Sequence, residues 1–371
     1  MLRLFTFFFR KLPVKAGSAD EQLYLLSEHE QKTLRKLEQL ILILSAAIGA
    51  VMVLVLYIPQ YIFPEWFAES TFTIPFTAVK FSLSVTSLVY GIVLVYVEIL
   101  MLTALHLYCA HEIAVRTGLF RNAESKQQNS AAQLILIGME KKDKSLSLYG
   151  LDPFQGLSRT TVFLRNLLFA LKATLSNLII KILIQRILGR YALRAVLDLL
   201  GIPIFAFWNT WASYRVLREA RVVIMGENLL NELAKRLQGN FSQADHDLIY
   251  DALQYVAISK RDYHRNHSRL AELIINRFEI KRRSSHKLST NFYDNQKAAP
   301  AEVQAICKLI ITLGIVVDGY FSNREKRRVD ALNESGILPF TSEQVKQWSK
   351  DFTAGRGIQS MLAQFPEVIS A

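Results

Sequence analysis

The chain has 371 residues, 51% of them hydrophobic, with 44 Lys and Arg against 32 Asp and Glu, a net charge of +12 and two cysteines. Cys109 and Cys307 stand too far apart for a disulfide framework, and a chain this long has room for two or three ordinary domains without one. The basic balance suits nucleic acid and an anionic membrane face equally, so the placement of the apolar residues has to decide between them.

The N-terminal MLRLFTFFFRKLPVK has a charged flank, but its apolar core is too short for a signal peptide and lacks a small-residue cleavage site. It reads as an interfacial anchor within a basic segment, 1–39. Residues 40–58, LILILSAAIGAVMVLVLYI, are uncharged and long enough to cross ~30 Å of hydrocarbon as a helix. A core helix of a water-soluble protein is the alternative, and the absence of any polar face over this length weakens it. The following IPQYIFPEWFAESTFTIPFTAV has no Lys or Arg and many aromatics, as a short outer loop should, with Tyr57, Tyr61, Trp66 and Phe67 as interfacial belt residues. A second apolar run, 81–97, continues past Glu98 into ILMLTALHLYCA. Arg3, Arg10, Lys11, Lys15, Lys32, Arg35 and Lys36 precede the pair, and Arg116, Arg121 and Lys126 follow it. Positive charge is retained inside, so 40–110 is expected to form a transmembrane hairpin with both chain termini in the cytoplasm.

Residues 111–158 read as a linker region, with polar stretches at 124–130 and 141–158. Residues 159–238 read as an amphipathic, membrane-associated region. Arg165, Lys172, Arg186, Arg190 and Arg194 fall on one helical side with Lys181 opposite, a row that fits an anionic bilayer surface at about 1 kcal/mol per charge, or the solvated face of a bundle. Within it, 195–214 is apolar but holds Asp198, Gly201, Pro203 and Asn209, and one extra crossing would place the basic C-terminal third outside. The expectation is a helical pair on the membrane surface, with a shallow second hairpin as the alternative, followed by a separate amphipathic helix over 214–237.

Residues 242–336 read as a helix-turn-helix pattern occurring twice. Ser242 and Asp245 have capping-box spacing, and a turn is expected near Asp262. In the second copy Pro300 opens an apolar helix that ends at Asp318 and Gly319, and another runs from Ser322 to Gly336. A C-terminal helix and tail, 337–371, complete an all-α reading. Gly319 suits a positive φ, while Ser322 and Glu325 suit a capping box. The functional alternative makes Asp318 and Glu325 oxygen ligands of a divalent metal, though two carboxylates are a thin shell. Asp262, His264 and His267 form D-x-H-x-x-H with no further zinc ligand at motif spacing, so a solvated helix start is the simpler reading.

Glu98, His106 and Cys109 share one broad face of the second apolar helix. An ionisable residue inside hydrocarbon is costly and marks function by default. Two readings stand: Glu98 lies at the inner interface and is ordinary, or Glu98 and His106 serve a proton or ion path, which one hairpin can enclose only as part of a homo-oligomer.

Two resemblances attach to these residues. GIPIFAFWNTWASYRVLREARVVIMG loosely resembles the end of the EcsC-type helical domain of bacterial membrane-associated proteins. LIITLGIVVDGYFSNREKRRVDAL resembles the core of TerB-like domains, helical modules named after a tellurite-resistance protein, through Asp318, Gly319, Ser322 and Glu325. The first copy departs from that pattern, with Tyr263 and Arg269 near the corresponding places, which puts the family's paired acidic site in doubt. The resemblance implies a cytoplasmic helical domain over roughly 242–335 linked to metal or envelope stress.

No phosphate-binding glycine loop, nucleophile elbow, H-E-x-x-H or zinc-spaced cysteine pair occurs. The basic residues are spread over interfacial and linker segments rather than gathered on a helix with aromatics, so nucleic acid is not expected as a partner. The expectation is a non-enzymatic, membrane-anchored interaction or scaffold protein with the bilayer and an unidentified protein as partners, and with no cofactor beyond a possible divalent metal. A small oligomeric transporter or channel using Glu98 and His106 is its rival.

Overall fold

The structure is a computed structural model describing residues 26–68, 70–73, 80–117, 148–152, 155, 158, 194–260 and 264–370. The N-terminal anchor, the 124–130 linker, the whole charged row before Arg194, and Asp262 with Tyr263 lie outside the described residues. What is described is mostly helical, and it divides into two compact units, one of Met1–Leu34, Ala110–Val162 and Arg218–Ala371, the other of Arg35–Cys109 and Phe163–Leu217.

Three long helices contribute to both units: α1 (Glu28–Ile62), α2 (Val85–Arg116) and α3 (Arg194–Arg236). Ser27 and Glu30 start α1 by exchanging bonds, Ser27 N–H to Glu30 Oε2 (2.9 Å) and Glu30 N–H to Ser27 Oγ (3.3 Å). Both α1 and α2 are long and apolar enough to cross a membrane by length and composition. α2 begins later than the apolar run that announces it. Ser84 Oγ accepts the Ser87 N–H (3.2 Å) and caps the helix, while Lys80–Leu83 form strand β2, paired antiparallel with β1 (Ser70–Thr73). The loop between the spans is therefore a one-turn 3₁₀ helix, Pro64–Phe67, and a short β-hairpin, an exception to the all-α expectation.

The expected boundary at 214 is absent, because α3 runs unbroken for 43 residues. Pro203 stands inside the helix, past its first turn, where it removes one intrahelical N–H without ending the helix, and the one later glycine, Gly226, answers a packing demand: a Cβ there would fall 2.1 Å from Asn266 Nδ2.

In the first unit follow α4 (Gln243–Lys260), α5 (Arg265–Arg277), α6 (Phe292–Ala298), α7 (Ala301–Val316), α8 (Asn323–Glu334), α9 (Ser342–Ala354) and the single turn α10 (Gln359–Leu362). α7 is buried nearly all round, as its unbroken apolar run requires, and packs chiefly on α4, with α9, α6 and α5 about it. At Gly314 a Cβ would meet Val256 Cγ1 at 2.4 Å, so glycine sets the α4–α7 approach.

Two stretches that read from sequence as linker and tail belong to this unit. Tyr149 and Leu151 are buried, Asp152 N–H and C=O pair with the Gln254 side chain (3.0 and 2.7 Å), and His286 N–H donates to the Gly150 carbonyl (2.9 Å). After residue 336, Phe340, Trp348, Phe352 and Phe365 enter the core, and the terminal strand segment bonds back at Gln238 N–H to Val368 O (2.9 Å) and Ser370 N–H to Arg236 O (2.9 Å). The 148–152 stretch docks largely through backbone groups, which periodicity does not register, whereas the stretch after 336 buries apolar side chains along α9 and beyond it.

Candidate functional site

The helix α7 ends where Val317 caps it and Gly319 turns left-handed (φ 68°). Ser322 then caps α8 in a full capping box with Glu325, as the spacing implied. These local rules bring the two sequence-nominated carboxylates together, and the cation between them is Lys260, the last residue of α4. Its ammonium lies 2.7 Å from Asp318 Oδ2, pairs with Glu325 Oε1, and donates to the Ile315 carbonyl (3.1 Å). The remaining carboxylate oxygens are also taken, Asp318 Oδ1 by Tyr320 N–H (3.0 Å) and Glu325 Oε2 by Ser322 N–H (2.5 Å). The three side chains are 6%, 11% and 8% exposed. Arg218 extends the network by donating to the Gly319 carbonyl (3.1 Å) and stacking 4.1 Å over the Tyr320 ring.

A divalent ion could enter only by displacing Lys260 from both carboxylates. Among the described residues no group of three or more His, Cys, Asp and Glu is placed to hold a metal. Sequence reasoning missed Lys260, although it ends α4 where α7, in the second copy, ends on Val316.

His264 and His267 are placed apart in function. His264 is the N-cap of α5, its Nδ1 accepting the Asn266 N–H (3.1 Å), with Nε2 lying 3.2 Å from Glu219 Oε1. His267 Nε2–H donates to the Gly314 carbonyl (2.9 Å). Between them Asn266, fully buried, donates to the Val222 carbonyl of α3 (2.9 Å) and the Val317 carbonyl (2.6 Å). Both histidines are structural, and a solvated helix start was too exposed a reading for His267.

A second acid–base pair was not foreseen. Asp251 Oδ1 accepts from His286 Nε2–H (2.8 Å) and Ser289 N–H (3.1 Å), and His286 Nδ1 accepts from Arg283 Nη1 (2.9 Å). With both ring nitrogens taken, His286 has no lone pair to offer as a general base. Burial pushes the Cys307 thiol well above its ordinary range, and its sulfur donates to the Leu248 carbonyl, so it is no nucleophile. A cleft of about 330 Å³ lined by Gln155, Ile258, Leu288, Ser289, Thr290, Phe292 and Tyr293 has no charged side chain among the described residues that line it.

In the other unit, the sequence-nominated Glu98 and His106 lie in α2 and each meets α3. Glu98 Oε1 accepts from Asn209 Nδ2 (2.6 Å). His106 Nε2 lies 2.7 Å from Ser213 Oγ, which in turn donates to Ser45 Oγ of α1 (2.8 Å), and Ser45 Oγ donates to the Ile41 carbonyl (2.7 Å). Because both hydroxyl protons are spent in that direction, His106 must be the donor to Ser213, which fixes a proton on Nε2. Ser45 and Ser213 are fully buried and His106 is nearly so. Gly49 lets the helices approach, since a Cβ there would fall 2.8 Å from Asn209 Nδ2 and from the Phe205 backbone. Asn209 was noted in the sequence only as a polar interruption, and Ser45 and Ser213 drew no attention. Their signal was present as isolated polar residues inside apolar runs, but the partner of each lies on a different helix more than a hundred residues away.

Compared with family models, curated proteins and solved structures, the chain matches none.

Proposed function

We propose that the chain is a membrane-anchored, non-enzymatic helical interaction protein, held in a bacterial inner membrane by α1 and α2 and presenting the 218–370 helical unit to the cytoplasm. The observation that carries this reading is that the nominated site residues of each unit are already bonded to neighbours within that unit. Lys260 neutralises the Asp318–Glu325 pair, His286 has no free nitrogen, and Glu98 and His106 are bonded to neighbouring helices. Sites that bind substrate or metal normally keep converging polar groups or a coordination position open. Intramembrane polar residues paired across helices serve as packing contacts. The apolar, lipid-compatible exposure of α1 and α2, including Ile43, Val51, Ile92 and Val95, supports the anchor. The TerB-like resemblance of Asp318, Gly319, Ser322 and Glu325 supports a helical interaction module for the other unit, with the metal role of its acidic pair replaced by an internal ion triad.

Alkaline carbonate extraction followed by crosslinking in intact membranes tests the reading. The chain should stay with the membrane pellet and give a discrete crosslinked species from the helical unit. Release into the wash removes the anchor, and turnover of a small substrate by the purified chain removes the non-enzymatic role.

A further inference from the structure

We propose that the first half of α3, from Gly201 to Tyr214, is a third bilayer-embedded helix whose aromatic face meets lipid chains, and that Arg194 stands at the membrane face reached by the outer end of α1. The inference rests on the anchoring reading above. Four sets of contacts fix the relative direction of the helices within this unit. Ser213 is level with Ser45 and His106, and Asn209 is level with Gly49 and Glu98. Further along, Gly201 is level with Val53, its would-be Cβ 3.4 Å from Val53 Cγ1, while Tyr90 Oη donates to the Val55 carbonyl (2.8 Å). As α1 ascends from Ser45 to Val53, α3 descends in number from Ser213 to Gly201, so α3 lies antiparallel to α1 and parallel to α2. At 1.5 Å per residue, Arg194 is about 28 Å from Ser213 along the helix, close to the full ~30 Å of hydrocarbon.

On the side of this helix turned away from these contacts Phe207, Trp211 and Tyr214 are exposed, with Phe205 and Trp208 also exposed at the margins of the contact face, in a stretch without charge from Leu199 to Tyr214. The occupant is lipid, because the patch is continuous with the exposed apolar residues of the two spanning helices at the same levels, among them Leu44, Val51 and Met101. Trp and Tyr near the inner end are where interfacial aromatics belong. A helix lying on the membrane surface has no way to be level with α1 over this length. α3 then runs from the outer face to the inner one, which leaves the basic C-terminal third inside.

Single-cysteine variants of the full chain, labelled in cells and in inverted vesicles with a membrane-impermeant maleimide, test this. Ile62→Cys and Arg194→Cys should react from one side and Ser335→Cys from the other. Reaction of Arg194→Cys from the side of Ser335→Cys, with Ile62→Cys opposite, overturns the third helix and leaves the anchor intact. Reaction of Ile62→Cys and Ser335→Cys from the same side overturns the anchor itself. Phe207→Cys should be silent from both sides in the membrane and react once the protein is dissolved in detergent. Reaction from either side of the intact membrane, or continued silence in detergent as a covering second copy would give, overturns the lipid assignment.

Discussion

The molecule buries two polar clusters by opposite means. The α4–α7–α8 cluster is ionic, one ammonium against two carboxylates with every carboxylate oxygen bonded. The α1–α2–α3 cluster is built mainly from hydroxyls, an imidazole and an amide, with Glu98 as its one acidic member. Breaking a buried ion pair leaves an uncompensated charge, whereas breaking a neutral contact between apolar helices leaves groups that find other partners. The first cluster should therefore be brittle and the second forgiving, though both look equally complete in their hydrogen bonding.

The largest effect expected is for Lys260→Met, which strands Asp318 and Glu325 and should cost about 3–5 kcal/mol, measured as the denaturant midpoint followed by fluorescence of the buried Trp348. A loss below 1 kcal/mol would show that the triad behaves as a surface pair. Next comes Gly314→Ala, whose Cβ collides with Val256 and should cost about 1–3 kcal/mol in the same assay. Ser213→Ala, which cuts the link from His106 to Ser45, should cost only about 0.6 kcal/mol in detergent, and a loss as large as that of Lys260→Met would erase the contrast.

The smallest effect concerns Cys307, whose thiol is held above its ordinary value of 9.0 by burial. Well below pH 9.0 the thiol is protonated in both states and adds no pH dependence. Above it the unfolded chain releases a proton that the folded chain keeps, so stability should fall as pH rises, and Cys307→Ala should flatten that slope. Alkylation of Cys307 should occur only on unfolding, and rapid modification of the native protein would contradict its burial.

Much of this was legible in the chain because it depends on local rules. The apolar run at 40–58, the Ser322–Glu325 cap and the turn at Gly319 follow from neighbours within a few residues, and the structure places all three accordingly. The partners were not legible, since Lys260, Ser45 and Asn209 acquire their roles only when distant helices meet. The continuous helix through 214 was missed for another reason. Its polarity changes midway, which reads as a boundary, while no Pro or Gly stands between Pro203 and Gly226 to stop the helix there. The 148–152 strap was taken for part of a linker because it holds on mainly by backbone bonds and the buried Tyr149 and Leu151, whereas the C-terminal helix expected after 336 is present as α9.

The central claim is that the polar residues of the apolar helices serve one another rather than a passing ion. Proton and cation flux in proteoliposomes of the full chain tests it most directly. The account predicts flux no greater than that of empty liposomes, unchanged in Glu98→Gln and His106→Leu. A flux carried by the wild-type chain and abolished by either substitution would contradict it and establish a pore.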